Sequence, residues 1–251
     1  FYFLNIFQVS GYSLDSGMMV PELGEPAFEA AKIRSEEGLE NLMEHLRMKP
    51  YNPKHTYHQI SSFNSLLEAV NDTISKKDID IVVMGTKGTT GARTVIYGTN
   101  AINVMEKARV CPVLTVPENV RFSAPEEIVF PTDFKTVFKR NDLDYLIEIC
   151  KEHKAFIRVL YIDDGDGLNQ KQRENKEFLE TIFEDLDHSF HTLTNIKVQE
   201  GINAFIESRD SDMIAFINRK HHFFGSIFAK PLVKELGYHS RVPILVLRHR
   251  S

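Results

Sequence analysis

The sequence has no tryptophan, two cysteines and no surplus of basic residues. Cys111 and Cys150 are too few and too far apart for a disulfide framework or a cysteine-based zinc site, which suits a reducing cytosol. Thirty Lys and Arg against 35 Asp and Glu leave a net charge of −5, and no stretch gathers basic residues with aromatics. Nucleic acid and anionic membrane surfaces are therefore not expected partners. No apolar run approaches the ~20 residues of a transmembrane helix, and no signal-peptide pattern opens the chain. These absences predict a cytoplasmic protein. What is present is average: 42% hydrophobic and 26% charged residues, with 13 Gly and 10 Pro, argue for a folded soluble chain over disorder or a fibre.

A length of 251 residues allows two domains of roughly 125 residues each, so internal repeats are decisive. Apolar β-type segments recur in one order. Residues 1–7 (FYFLNIF) match 156–162 (FIRVLYI), and 55–60 (HTYHQI) match 188–193 (HSFHTL). Residues 80–84 (DIVVM) then match 212–217 (DMIAFI), and 110–116 (VCPVLTV) match 242–247 (VPILVL). Amphipathic patterns lie between them, at 25–47 and 64–75 in the first copy and at 171–186 and 198–208 in the second. Short apolar strands alternating with amphipathic helices predict βαβ units and a mostly parallel sheet. The second copy also has a strand at 127–130 (EIVF), the turn PTDF and a helical pattern at 139–153, all ahead of the segment that matches residues 1–7. The expected domains are 1–120 and 121–251, joined through 121–125. The first is expected to lack its first βα unit, a stretch of roughly 30 residues, within this sequence.

The sharpest motif follows a predicted strand: Met84-Gly85-Thr86-Lys87-Gly88, then nine residues, then Gly98-Thr99 and Asn100 at the head of an amphipathic run. Glycines leaving a strand let backbone amides approach an anion, because no Cβ intervenes. Gly98 and Thr99 stand at a helix N-terminus, where free amides and the dipole favour phosphate. Thr99 adds a hydroxyl and Lys87 a charge. The plainer alternative is a tight turn followed by a glycine N-cap. The spacing fits neither the Walker A loop nor the dinucleotide G-x-G-x-x-G.

The spacing Gly85-x2-Gly88-x9-Gly98-Thr99, followed by 110–116 (VCPVLTV), resembles the ATP-binding signature and last strand of the universal stress proteins, and the tandem copies resemble their two-domain members. The resemblance implies two Rossmann-like units of the adenine nucleotide α-hydrolase type, each with a parallel sheet in the order 3-2-1-4-5, paired through their fifth strands. It implies an adenine nucleotide as partner and ATP as cofactor, with Mg an open addition and homodimer formation also open. Met84 and Gly85 would lie by the ribose. Lys87, Gly88, Gly98, Thr99 and Asn100 would line the phosphates. The nucleoside-contacting Asp at the end of a first strand has no counterpart in the first copy; Asp133 in PTDF is its counterpart in the second. There the loop reads Asn218-Arg219-Lys220-His221-His222-Phe223-Phe224-Gly225-Ser226, with Asn218 and His221 in place of the glycines. The second domain is therefore expected to hold no ATP.

Other motifs point to less. His55-x2-His58 and His188-x2-His191 occupy matching places, but residues three apart on a strand face opposite sides, so a metal site is not expected. The run Asp163-Asp164-Gly165-Asp166-Gly167 lacks the oxygen ligands and glycine placement of a calcium loop. Residues 11–24 read as a loop beside the nucleotide mouth. No hydrolase elbow, zincin motif or Cys–His pairing appears, so no catalytic residue is named and at most slow ATP hydrolysis is expected. The leading reading is a nucleotide-responsive, stress-type binding protein. Its rivals are a nucleotide-free scaffold for partner proteins and an enzyme of the related adenine nucleotide α-hydrolase group.

Overall fold

A computed structural model describes residues 1–9, 24–86, 98–108, 111–163, 165–218 and 242–248. The chain divides into two compact units, Phe1–Asp78 and Ile79–Ser251.

The first unit contains β1 (Tyr2–Phe7), α1 (Pro26–Arg47), β2 (His58–Phe63) and α2 (Leu66–Lys77). Pro26 opens α1 where its fixed φ suits a first turn. The helix buries Ala31, Ser35, Leu39 and Met43, a stripe with one residue per turn. Phe28 of α1 meets Phe7 and Phe63 of the two strands with ring centroids 5.5 and 5.4 Å away. Ser35 sits among them as a polar exception, accepting from Asn5 Nδ2 at 3.0 Å and bonding Ser61 Oγ at 2.7 Å. Ser65 caps α2 by accepting from the Glu68 amide, and the helix ends on Asp78 with φ 50°.

The structure corrects one register. β1 and β2 are parallel with Tyr2 opposite His58, whereas Ile157 lies opposite His188 in the second copy. With residues 1–7 matched to 156–162, His58 and not His55 is the counterpart of His188. His55 lies before the strand, its amide bonded to the Asn52 carbonyl at 3.0 Å. The histidine spacing drew the match three residues out of line; pairing with β1 decides it.

The second unit contains β3 (Val82–Gly85), α3 (Thr99–Lys107), β4 (Val113–Val116), β5 (Glu127–Pro131), α4 (Arg140–His153), β6 (Phe156–Asp163), α5 (Gln170–Ile182), β7 (His188–Thr194), α6 (Val198–Arg209), β8 (Met213–Asn218) and β9 (Ile244–Arg248). Its seven-stranded sheet runs β3-β4-β9-β8-β5-β6-β7. Every neighbouring pair is parallel except β4 and β9, which run antiparallel with Leu114 opposite Leu245. Within the second copy the order β7-β6-β5-β8-β9 is 3-2-1-4-5. The antiparallel joint falls between the fifth strands of the two copies. Among the described residues β1 pairs with β2 alone and β3 with β4 alone, so the first copy shows its order only in two pieces.

The core of this unit forms where β5 and β6 lie under α4 and α5. Ile128, Phe130, Leu143, Leu146, Ile157, Val159, Leu179 and Phe183 are buried in one cluster. Ile128, Val129 and Phe130 are consecutive and all buried, the mark of a central strand covered on both faces. α4 and α6 both close on left-handed residues, Lys154 and Asp210, and α5 opens with an Asn169–Gln172 capping box.

Candidate functional site

β3 carries the glycine motif to the carboxyl end of the sheet, where ligands of doubly wound folds bind. Met84 and Gly85 are its last two residues. A Cβ built on Gly85 meets nothing within 4 Å. Space, and not packing, lies beside this glycine.

Thr86 follows and turns the chain. Its amide donates to the Val116 carbonyl at 3.2 Å, extending the β3–β4 ladder by one residue. Its carbonyl accepts from the Gly98 amide at 2.6 Å, which brings the head of α3 to the end of β3. Lys87 and Gly88 lie outside the described residues.

Gly98 is the N-cap of α3, extended at φ −72° and ψ 158°, with no side chain to cap the helix. The amides of Thr99, Asn100 and Ala101 consequently lack partners within the helix. Thr99 and Asn100 are exposed there, and the first turn has no acidic residue to repel an anion. Thr86 Oγ1 is buried without a hydrogen-bond partner, the residue being 2% exposed. A buried hydroxyl left unpaired costs about 1–3 kcal/mol, and sequence reading had not singled it out. Five expected site residues, Met84, Gly85, Gly98, Thr99 and Asn100, thus fall at one strand end and the helix start beside it. Open space at a glycine, amides with no partner inside the helix and a buried hydroxyl unpartnered among the described residues fit a group bearing phosphate.

The corresponding end of the second copy is built differently. Asp133 follows β5, and burial pushes its carboxyl pKa up although its Oδ1 accepts from the Lys135 amide at 3.0 Å. The turn behind it is pinned from α5: Gln172 Nε2 donates to the Asp133 carbonyl at 2.8 Å and Asn175 Nδ2 to the Phe134 carbonyl at 2.7 Å. Phe134 itself is left-handed, with φ 54°. Asp163 accepts on one oxygen from the amides of Gly165 and Gly167, both at 3.0 Å. It closes a polar turn whose glycines have φ 111° and 67°. Residues 219–226 and Asp164 lie outside the described residues, as does all of 11–24 except Gly24.

His188 Nδ1 bonds the Leu186 carbonyl at 2.9 Å, whereas His191 Nε2 bonds Ser189 Oγ at 2.7 Å. Their hydrogen-bond partners are thus different. Among the described residues no group of three or more His, Cys, Asp or Glu is placed to hold a metal ion. No described helix is long and apolar enough to cross a membrane.

A mostly parallel α/β sheet with helices between its strands defines a Rossmann-like protein. The model of the universal stress protein family matches residues 10–117, and over that stretch the chain is similar to this family. None of the curated proteins matches the chain in sequence. Among solved structures, a universal stress protein from Archaeoglobus fulgidus DSM 4304 is 14% identical, with 93% of this chain and 82% of that one covered at a TM-score of 0.62. A functionally unknown protein from Pseudomonas aeruginosa PAO1 is 12% identical over 98% of this chain and 92% of its own, at a TM-score of 0.61. These two share the fold of the whole chain. A universal stress protein from Archaeoglobus fulgidus in complex with dAMP aligns with 50% of this chain and 99% of its own, at 16% identity and a TM-score of 0.38.

Proposed function

We propose that the chain is an adenine-nucleotide-binding stress protein, with ATP as its ligand, working in the cytoplasm as a nucleotide-responsive binding protein and at most a slow hydrolase. On this reading the functional domains are 1–120 and 121–251. The first holds the nucleotide; the second is structural or regulatory. Met84 and Gly85 would border the ribose, and Lys87, Gly88, Gly98, Thr99 and Asn100 the phosphates. Bound ATP would supply the negative charge that the free amides of α3 lack, with Mg as an optional companion.

The observation that carries the reading is the 2.6 Å bond from the Gly98 amide to the Thr86 carbonyl. It sets the amides of Thr99, Asn100 and Ala101, which have no partner within the helix, beside the end of β3, where Gly85 leaves room. Phosphate at such a helix N-terminus gains both hydrogen bonds and the dipole.

The experiment is an ATP titration monitored by thermal and chemical unfolding, on the parent and on a Gly88→Val, Gly98→Val double variant. Binding tighter than about 100 µM raises the unfolding free energy by ~1.4–2.7 kcal/mol at ten- to hundredfold excess over Kd. No rise in the parent, or an equal rise in the double variant, would remove ATP from this position.

A further inference from the structure

α3 is held from the far end by the second copy. Asn218, the last residue of β8, donates through Nδ2 to the carbonyls of Met105 and Glu106 at 3.1 and 3.0 Å. Arg248, the last residue of β9, donates through Nη1 to the Glu106 carbonyl at 3.1 Å. Its Nη2 donates to Val104 and Met105 at 3.2 and 2.5 Å. The last turn of a helix has carbonyls with no partner in the helix, and a cation there also complements the dipole. Arg248 is 6% exposed. Burial lowers its pKa only to about 10, so it stays charged at neutral pH.

Both residues stand at carboxyl ends of strands, and because β9 runs antiparallel to β4 this is the edge opposite the one that carries the glycine motif of the first copy. Strand pairing puts Asn218 in the place of Thr86 and Ile217 in that of Gly85, because Val82 and Ile214 donate from equivalent amides to the carbonyls of Pro112 and Pro243. One residue past the glycine's place, the second copy thus carries a side-chain amide that grips the helix beginning at the candidate nucleotide site of the first copy.

We infer that Asn218 and Arg248 are positioning residues, through which the second copy clamps the carboxyl end of α3 and so fixes the phosphate-facing amides at its other end. The inference rests on the nucleotide reading given above, and its physical link is the helix itself. α3 has nine residues, little more than two turns, and is too short to be stable alone. Releasing its last turn frays the remainder, and ordering the first turn then falls to the ligand. The second copy, without holding a nucleotide, would set the affinity of the first.

The test uses the full chain as parent, Asn218→Gly, Arg248→Met and Arg248→Lys. ATP affinity is measured by calorimetry, and amide hydrogen exchange is followed in α3, β5 and β6 without ligand. Asn218→Gly and Arg248→Met should each weaken ATP by at least about fivefold and speed exchange across α3, while β5 and β6 keep parent rates. Arg248→Lys, which keeps the charge without the fork, should recover part of both effects. Faster exchange in α3 with ATP affinity unchanged within about twofold overturns the coupling and leaves the nucleotide reading standing. A parent that binds no ATP defeats the nucleotide reading and the coupling with it. Unchanged α3 exchange in both variants defeats the clamp whether or not ATP binds. Should Arg248→Met fail to fold, Asn218→Gly carries the same comparison with the cation in place.

Discussion

Glu127, the first residue of β5, holds Arg209 at the end of α6 through both carboxylate oxygens, at 2.8 Å from Nε and 2.7 Å from Nη2. Arg158 Nε reaches the same carboxylate at 2.6 Å and Ser211 Oγ at 2.8 Å. One acid thus ties together β5, β6, α6 and the approach to β8. Burial by itself raises its pKa; the hydrogen bonds of Arg209, Arg158 and Ser211 outweigh that and bring it to about 2.

The sign of the pH effect follows. Because the folded pKa lies below the unfolded one, the stabilisation is complete above about pH 4.5 and disappears as pH falls toward 2. After discounting for solvent, its size is on the order of 1–2 kcal/mol. Glu127→Gln should lose that amount at pH 7, and its unfolding free energy should change less than the parent's between pH 4.5 and 2. Denaturant titrations at several pH values measure this. Identical slopes for the two proteins would show that Glu127 contributes no such linkage.

Gly85 offers a cleaner separation of ligand binding from folding. Its added Cβ meets open space and its φ is ordinary, so Gly85→Val should alter stability by no more than about 0.5 kcal/mol. ATP affinity should fall at least about tenfold, a change of ~1.4 kcal/mol. Full ATP binding by a well-folded Gly85→Val protein would move the nucleotide away from β3.

Thr86→Val should act in opposite directions on the two properties. Removing a buried, unpartnered hydroxyl stabilises the free protein by about 0.5–2 kcal/mol. If that hydroxyl meets the ligand, ATP affinity drops in the same variant. Unfolding in the absence and presence of ATP reads both effects. A variant stabilised equally with and without ATP would show that Thr86 has no part in binding.

Much of the architecture was legible from residues 127–130 and 156–162, whose largely apolar segments alternate with amphipathic helical patterns as βαβ units require. The strand order of the second copy was expected from the family resemblance alone. The placement of Gly85 at a strand end and of Gly98 and Thr99 at a helix start was legible, because glycine spacing reports on turns. The site was not legible where side chains cross long sequence distances. Arg248 meets Val104, and Asn218 meets Met105, only because β9 pairs antiparallel with β4; no local pattern encodes such a contact. Thr86 was missed for a related reason, since burial of a hydroxyl depends on neighbours and not on spacing. The misplaced match of His55 to His188 came from reading side-chain identity where strand pairing decides.

Cys150 has a distinct chemical expectation. It is buried at 2% exposure within the core under α4, and burial pushes its thiol pKa up to about 12. At pH 8 the thiolate is then a fraction of about one in ten thousand. Iodoacetamide should modify Cys150 only when the second unit unfolds, so its labelling rate against denaturant reports global opening. Labelling at pH 8 as fast as that of a free peptide thiol would mean that α4 opens locally.

The antiparallel joint of β4 and β9 has one more consequence. Two parallel half-sheets meet edge to edge there, an arrangement that separate protomers could form only by collision. Here both strands belong to one polypeptide, so the junction has an effective concentration set by the tether and indifferent to dilution. Lowering the amount of protein in a cell would not part the copies, and a stoichiometry of one to one is built in by translation.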